Sequence, residues 1–531
     1  MKKPVIFSKR LRGWHFGLLN ITLGLGHILV MFNGGSYLAL EPHAAGDLEG
    51  TFVSFMGWSQ TNLMLAMALG FPIGRTLAER YGNYRVYVTA FILFAAASYL
   101  CAISDSYLRF LWARILLGFS GGLTLLLGQE ILLNEYPARL KVLGVSIWGV
   151  LTITPFTLAG SIGGWFADEL NWRYFFYLSI ILSLIIAGIV GSLLYARGFK
   201  YRYRQFDFIG FLLFACTMYG IQTLLNMGND FDWLNSPFLR KVLLFTLVAF
   251  PCFIIWEIDK RRPLVDLKLF AHRNFAIGII CLVVGFFSLQ GLISLLTVQI
   301  QVLLGYSSTL AGLEFVPILL LSAPAVAIMH ILSKRMDARL LACLSLLGLA
   351  TASYWIGLYD DPASFDQIRW PLLFEGFFLG SFVAPLTAVT LHGLSGAQVL
   401  RAAEIVNMLR VTAGGLGISF QNIVIYRRAP YHQLHLSNYF GGRFFPSFDS
   451  LGQLSSKLTG IGYNDGMIKA YLGRLIHRAS NILAVADAFI LGACIFLGLA
   501  ILVWFAYPTH SPIPPSPKKL GIREAKEVKA P

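Results

Sequence analysis

The sequence predicts an all-α membrane protein: two six-helix bundles with two extra transmembrane helices between them, fourteen spans in all. Three observations carry this. Apolar stretches of about twenty residues recur from Trp14 to Phe505, broken by short connectors, and a backbone in lipid must close its own hydrogen bonds as helix. Of the 531 residues 56% are hydrophobic and only 13% charged, with a mean hydropathy of +0.66, which excludes an ordinary soluble domain. The basic residues are concentrated in the N-terminus and alternate connectors.

Taken in order, the apolar runs place helices near 14–38, 52–73, 86–104, 108–132, 142–166 and 173–195, which form the N-terminal bundle 14–195 behind a basic terminus 1–13. The runs 207–225 and 239–257 are the extra pair, within a linking unit 196–262. The C-terminal bundle 263–506 follows with runs near 275–298, 309–332, 340–358, 370–392, 402–426 and 482–506, and carries a long loop 427–480. Paired halves of this kind build a midplane site with alternating access. The Pro- and Lys-rich segment 507–531 reads as a solvated, disordered tail.

The net charge of +15 follows the positive-inside rule and does not require a nucleic-acid partner. Lys2, Lys3, Lys9, Arg10 and Arg12 precede the first span, and Arg197, Lys200, Arg202 and Arg204 follow the sixth. Connectors of opposite parity carry Arg173 and Arg369 and are otherwise acidic, with Glu41, Asp47 and Glu49 in the first, Asp230 and Asp232, and Asp360, Asp361 and Asp366. Both termini are therefore expected in the cytosol, in the inner (plasma) membrane. The loop 427–480 is then extracytoplasmic despite its positive charge, since the rule weakens for long loops. The six cysteines lie in apolar stretches without CxxC or His partners, as small hydrophobes rather than metal ligands. The first apolar stretch is too long for a signal core and lacks a small-residue cleavage site, so it is expected to stay as an anchor.

Several strings carry a family resemblance. Span four holds Arg114-Ile115-Leu116-Leu117-Gly118 and then Gly121-Gly122. Beyond span five come Gly163-Gly164-Trp165 and Asn171-Trp172-Arg173-Tyr174-Phe175-Phe176. The extra pair opens with Asp207-Phe208-Ile209-Gly210 and closes with Trp256-Glu257, Pro263-Leu264-Val265-Asp266-Leu267, Phe270 and Phe275. Leu304-Gly305-Tyr306-Ser307, Ala311-Gly312 and Pro317 follow, then Arg410 with Gly414, Gly415 and Gly417. From about Val30 to Phe505 the chain resembles the fourteen-span drug–proton antiporters of the major facilitator superfamily, the EmrB/QacA type. The resemblance implies that superfamily's fold, proton-driven efflux of drugs, and a role in proton coupling for Arg114. It also implies that 427–480 hands substrate to a periplasmic adaptor protein. The chain departs from the family pattern in several places, among them Leu117 where the family carries Gln. Asn33 stands where the family carries an acid in span one, Glu79 replaces an Asp after span two, and Ala159-Gly160 replaces Gly-Pro in span five.

Ionisable groups at membrane depth are functional candidates, because each is costly there. Arg114 lies about six residues into its span, roughly 9 Å along the helix, and either couples protons or tethers helices. His27 shares one face of span one with Asn20, Gly24, Met31 and Gly34, and imidazole changes charge near neutral pH. Glu375 and Glu130 complete the proton-coupling candidates, Glu130 lying close enough to a span end to snorkel. Asn33, Gln129, Gln290, Gln299, Asn407 and Arg410 are candidates to line a substrate cavity; the amides can equally stitch helices together. Glu79, Arg80 and Arg85, and Asp337 in the corresponding connector of the second half, are candidates for a cytosolic charge lock. Gly121, Gly122, Ala159, Gly160, Gly163 and Gly164 let helices approach closely.

The reading that follows is a secondary transporter exporting amphipathic small molecules by proton antiport, with no cofactor and no metal. Two alternatives stay open: export of one dedicated metabolite such as a siderophore, and a non-transporting sensor or assembly subunit. An enzyme is not expected, because the connectors hold no nucleophile–base pair, nucleotide loop or metal cluster.

Overall fold

The computed structural model describes residues 11–49, 53–136, 148, 158–195, 206–260, 263–333, 335–359, 365–395, 397–438 and 445–509. All regular structure among them is helical. The N-terminal half comprises α1 (Trp14–Gly35), α2 (Tyr37–Asp47), α3 (Val53–Tyr81), α4 (Asn83–Ala102), α5 (Tyr107–Glu135), α6 (158–169) and α7 (Trp172–Leu194). The extra pair is α8 (Phe208–Met227) and α9 (Pro237–Asp259). The C-terminal half comprises α10 (Arg273–Leu304), α11 (Ser308–Leu313), α12 (Val316–Leu332), α13 (Ala338–Gly357), α14 (Phe365–Leu391), α15 (Ala397–Asn438), α16 (Phe445–Gly460) and α17 (Asp465–Leu502). The end of the bundle where α1 begins is the proximal face, and the opposite end is the distal face.

Local chemistry sets the helix ends. Asn171, Asp207, Ser307, Asp337 and Asn464 each accept a bond from the first turn of the helix that follows, so they satisfy amides that have no partner inside it. Gly82 (φ 95°) and Gly305 (φ 72°) adopt the left-handed conformation at the ends of α3 and α10, where a side chain would be strained. That conformation accounts for the glycine in the Leu304-Gly305-Tyr306-Ser307 string.

Twelve helices among the described residues are long and apolar enough to cross a membrane. Two expected spans fall outside that set for different reasons. The span near 52–73 lies on α3, whose 29 residues reach across a bilayer but whose Ser59, Gln60, Thr61 and Asn62 face inward and lower its hydropathy. Most of the span near 142–166 lies outside the described residues. Tails 1–10 and 510–531, with much of the expected tail 507–531, also lie outside them.

Three expectations need correction. The first span does not run unbroken to 38: α1 stops at Gly35 and a separate α2 runs from Tyr37 to Asp47. Glu41, expected on an exposed acidic connector, is therefore buried, at 3% exposure. The segment 427–480 is also not an extended loop. α15 continues through Arg427 to Asn438, α16 follows, and α17 begins at Asp465. The polar composition that ended the hydropathy signal reports departure from lipid, not the end of helix.

The extra pair is a brace. Nδ2 of Asn226 donates to Oγ1 of Thr61 at 3.2 Å, and Nε2 of Gln222 to Oδ1 of Asn62 at 3.4 Å. These bonds tie α8 to α3, and α8 also packs on α15, so it touches one helix from each half. At the proximal face Nε1 of Trp256 donates to both carboxylate oxygens of Asp207, at 3.0 and 3.1 Å. Oε2 of Glu257 accepts from the amide of Val265 at 3.2 Å, and Asp266 pairs with Arg401 at 3.2 Å. The first bond ties α9 to α8, the second joins the pair to the C-terminal half, and the third lies within that half, beside a cavity of about 320 Å³ lined by Glu257, Asp266 and Arg401. The lipid-facing sides remain apolar, as at Ile181, Leu184, Leu247 and Ile255.

Candidate functional site

The break in the first span creates a polar centre. Ser36 N still bonds to Phe32 O, and the helical ladder resumes with Leu40 N on Ser36 O. In between, the carbonyls of Asn33 and Gly34 are taken by side chains. Nη1 of Arg114 donates to Asn33 O at 3.2 Å, and Nε2 of Gln60 donates to Gly34 O at 2.8 Å. Nη2 of Arg114 donates to Oε1 of Gln60, and the guanidinium stacks on the Tyr37 ring, 4.0 Å from its centroid. Arg114 is fully buried. Its charge is held by two neutral acceptors and a ring face, without a bonded carboxylate. Asn33, predicted as a cavity residue, is buried at 1% exposure. Its amide nitrogen donates to Leu29 O and to Oγ of Ser179 at 3.1 Å, inside the N-terminal half.

A second cluster forms where α3, α10 and α15 meet at the seam between halves. The guanidinium of Arg410 lies 4.7 Å from the Phe286 ring centroid. One turn along each helix, Gly414 faces Gln290 and Met64. Nε2 of Gln290 is buried without a hydrogen-bond partner. Among the described residues Arg410 forms no ion pair, and it is half-buried. The field of Arg410 reaches His27, which is buried with its ring 4.4 Å from that of Trp148. Sequence-predicted Gln290 and Arg410 are thus brought together through Phe286 and Gly414.

The halves touch at both faces. At the distal face Gly164 abuts the backbone of Ser308 and Thr309 and Gly160 that of Gly312, while Gly163 packs on Ser36 within the N-terminal half. Asp168 accepts from the amides of Ser308 and Thr309 at 3.3 and 2.8 Å and from Oγ1 of Thr309 at 2.6 Å. Partial burial opposes its charge, yet these bonds hold the carboxyl below the ordinary aspartate range. At the proximal face Arg75 pairs with Glu404 across the seam and with Glu79 at 3.6 Å on its own helix. Neither Glu404 nor Asp168 stands out in the sequence, since each is an ordinary charge beside a span end.

The remaining predicted residues lie elsewhere. Gly121 packs on Val30 and Gly122 on the backbone of Met67, so this pair joins α5 to α1 and α3. Ala159 is fully buried on α6. Glu375 is buried on α14, beside the contact of Gly376 with Ile318. Glu130 is exposed and Gln129 half-buried near the end of α5. Gln299 lines a small cavity of about 40 Å³ with Leu296, Ile356 and Ile482, inside the C-terminal half. Nδ2 of Asn407 donates to Ala403 O on its own helix. Arg85 is bonded to Tyr84 on the surface, and Arg80 lies in the last turn of α3. Asp337 caps α13, binds Nε and Nη2 of Arg339 at 3.0 and 2.8 Å, and accepts from Thr509. Partial burial works against that carboxylate's charge, and the Arg339 bonds outweigh it, keeping the carboxyl below its usual range. All these contacts of Asp337 stay within the C-terminal half.

Comparison with known proteins agrees with this architecture. A family model described as the Major Facilitator Superfamily matches residues 23–420. The multidrug export protein EmrB of Haemophilus influenzae is 29% identical over 92% of this chain and 96% of its own length. The fatty acid resistance protein FarB of Neisseria gonorrhoeae is 28% identical, covering 94% and 97%. Among solved structures, an inward-facing, occupied bacterial homologue of the human lysosomal transporter Spinster superposes with a TM-score of 0.59 at 12% identity, covering 93% and 97%. A D-xylose–proton symporter gives 0.59 at 14%, covering 93% and 99%.

Proposed function

Because the chain belongs to the Major Facilitator Superfamily, we propose that it exports amphipathic small molecules across the inner membrane by proton antiport, binding them at the seam around Arg410. Both termini face the cytosol in this reading, in keeping with the basic proximal connectors. Relatives named for multidrug export and fatty acid resistance support the cargo class. The observation that carries the reading is Arg410 itself. It lies about 20 Å along α15, near the middle of a bilayer core, and a cation there without an ion pair calls for a negative or acceptor-rich group from a ligand. Gln290 offers a second donor one turn from Phe286, and Phe286 with Met64 offers apolar wall. The amphipath's polar head is held by Arg410 and Gln290, its body by the rings and thioether.

A dansyl-labelled undecanoic acid and its uncharged amide, loaded into proteoliposomes under an imposed pH difference, test this. Hydrogen bonds to charged groups contribute about 1.5–3 kcal/mol, so Arg410→Gln is expected to weaken apparent affinity for the acid roughly 10- to 150-fold. The amide should change less than threefold. Equal losses for both probes, or none, would remove Arg410 from the binding site.

The distal ends of α15 and α17 are proposed to dock a periplasmic adaptor. Tyr431, Leu434 and Met467 are exposed there, within the last turns of α15 and the first turn of α17. A photo-crosslinker at Leu434 should capture one envelope protein in cells. Recovery of uncrosslinked transporter alone would count against docking.

A further inference from the structure

Glu41 is a carboxylate that none of the contacts above uses. It is 3% exposed on α2, one helix break beyond Asn33. Among the described residues no hydrogen bond or ion pair reaches its side chain, although Arg114, similarly without a bonded carboxylate, is the cation whose field it feels. Two opposite charges are thus buried in one interior region and left unjoined. A buried carboxyl without a donor favours its protonated form, and a nearby cation favours the anion. Such a group is poised to exchange a proton.

Its surroundings provide a route. A Cβ built at Gly57 would lie 3.5 Å from Oε1 of Glu41 and 3.7 Å from Nδ2 of Asn422. Gly57 therefore leaves a narrow gap between the carboxylate and a side chain that is itself exposed. Along α2, Asp47 is half-exposed only about 9 Å farther on. The titratable groups facing Glu41 are Arg114 and Tyr107 from α5 and Tyr37 on its own helix. α10 contributes neutral Gln301, whose amide donates to Leu38 O at 3.4 Å. The outer end of α2 is engaged elsewhere: His43 faces Asp168 and Asp47 pairs with Arg173.

We propose that Glu41 is an exchangeable proton site of the N-terminal half, with Arg114 as the counter-ion its carboxylate meets when the proton leaves. The O–H bond of the acid breaks, the proton passes to water at the distal side, and the anion is compensated by the guanidinium. Reprotonation returns Arg114 to Gln60, Asn33 O and the Tyr37 ring alone. The two states differ in what holds the break between α1 and α2, and Gly163 links that break to α6 through Ser36.

The inference rests on proton antiport for its purpose, but its test does not. Infrared difference spectra of the purified full chain, titrated with pH without substrate, should show a protonated-carboxyl band that is missing in Glu41→Gln and displaced in Glu41→Asp. Arg114→Gln should move the midpoint of that band upward by at least one pH unit, since a stabilising cation is gone. Identical spectra for the wild type and Glu41→Gln would overturn the assignment; Glu41→Asp provides the same comparison if the glutamine variant does not fold. In proteoliposomes loaded with the dansyl acid, Glu41→Gln should lose pH-driven accumulation at least tenfold and keep downhill exchange within threefold. Accumulation within twofold of wild type would overturn the coupling role of Glu41. Wild-type flux indifferent to the pH difference, with the band present, would sink the antiport reading and leave the proton site standing.

Discussion

Replacing Arg114 by alanine is expected to abolish pH-driven transport and to destabilise the N-terminal half. The substitution removes two charge-assisted bonds, to Asn33 O and to Gln60, worth together about 3–6 kcal/mol. It also uncovers an acceptor on each partner at a site without exposure. Asn33 O lies where the helical ladder is interrupted, so no backbone amide replaces the lost donor. Arg114→Lys keeps the charge, but one ammonium on a flexible stem does not reproduce a planar fork stacked on Tyr37. The expected order of thermal stability in detergent is wild type, then lysine, then alanine. An alanine variant that melts with the wild type and still transports would refute the bracing role.

The second large effect is expected at Gly164. A side-chain carbon there would overlap the carbonyl of Ser308 and the amide of Thr309, backbone atoms that cannot rotate aside. Overpacking costs about 1–3 kcal/mol. The contact joins the two halves, so the cost falls on the state in which their distal ends touch and shifts the population away from it about 5- to 150-fold. Gly164→Leu should therefore open the distal face and slow transport at least tenfold. Gly188→Leu is the control, because Gly188 is exposed with nothing near its Cβ position. Spin labels at Glu169→Cys and Val302→Cys, in a background lacking the six native cysteines, report the opening as a longer inter-label distance. An unchanged distance distribution would show that the glycine contact does not govern closure.

The apolar runs made most of the bundle legible, because lipid imposes length and composition on every span at once. They did not reveal the break at Ser36. Gly34-Gly35-Ser36 is apolar enough to continue a span, and what stabilises the interruption, Arg114 and Gln60, comes from two other helices. Glu41 was unreadable for the same reason: a carboxylate three residues past an expected span end looks solvated until α2 turns it inward. Small-residue positions on α5 and α6 were visible as glycines, yet which helix each one meets depends on topology. Gly122 serves packing within a half, and Gly164 serves contact between halves. Arg410 and Gln290 were separately conspicuous, and only the meeting of α10 with α15 makes them neighbours. The helical extension of 427–480 was hidden because hydropathy measures contact with lipid, whereas helix persists wherever the ladder and side-chain contacts sustain it.

α15 is a single helix of 42 residues, about 63 Å from end to end, with Arg410 part-way along and Asn438 at its outer tip. Pro430 removes a rung from its ladder, but Asp487 of α17 grips Arg428 at 2.5 Å and His432 at 2.6 Å, one on either side of the gap. A splint of that kind would let the rod act as a lever. A tilt of about 10° around Arg410 would swing the tip, about 42 Å away, through roughly 7 Å. Occupancy deep in the bilayer would thus be signalled mechanically to whatever rests on the outer tip, with no second messenger.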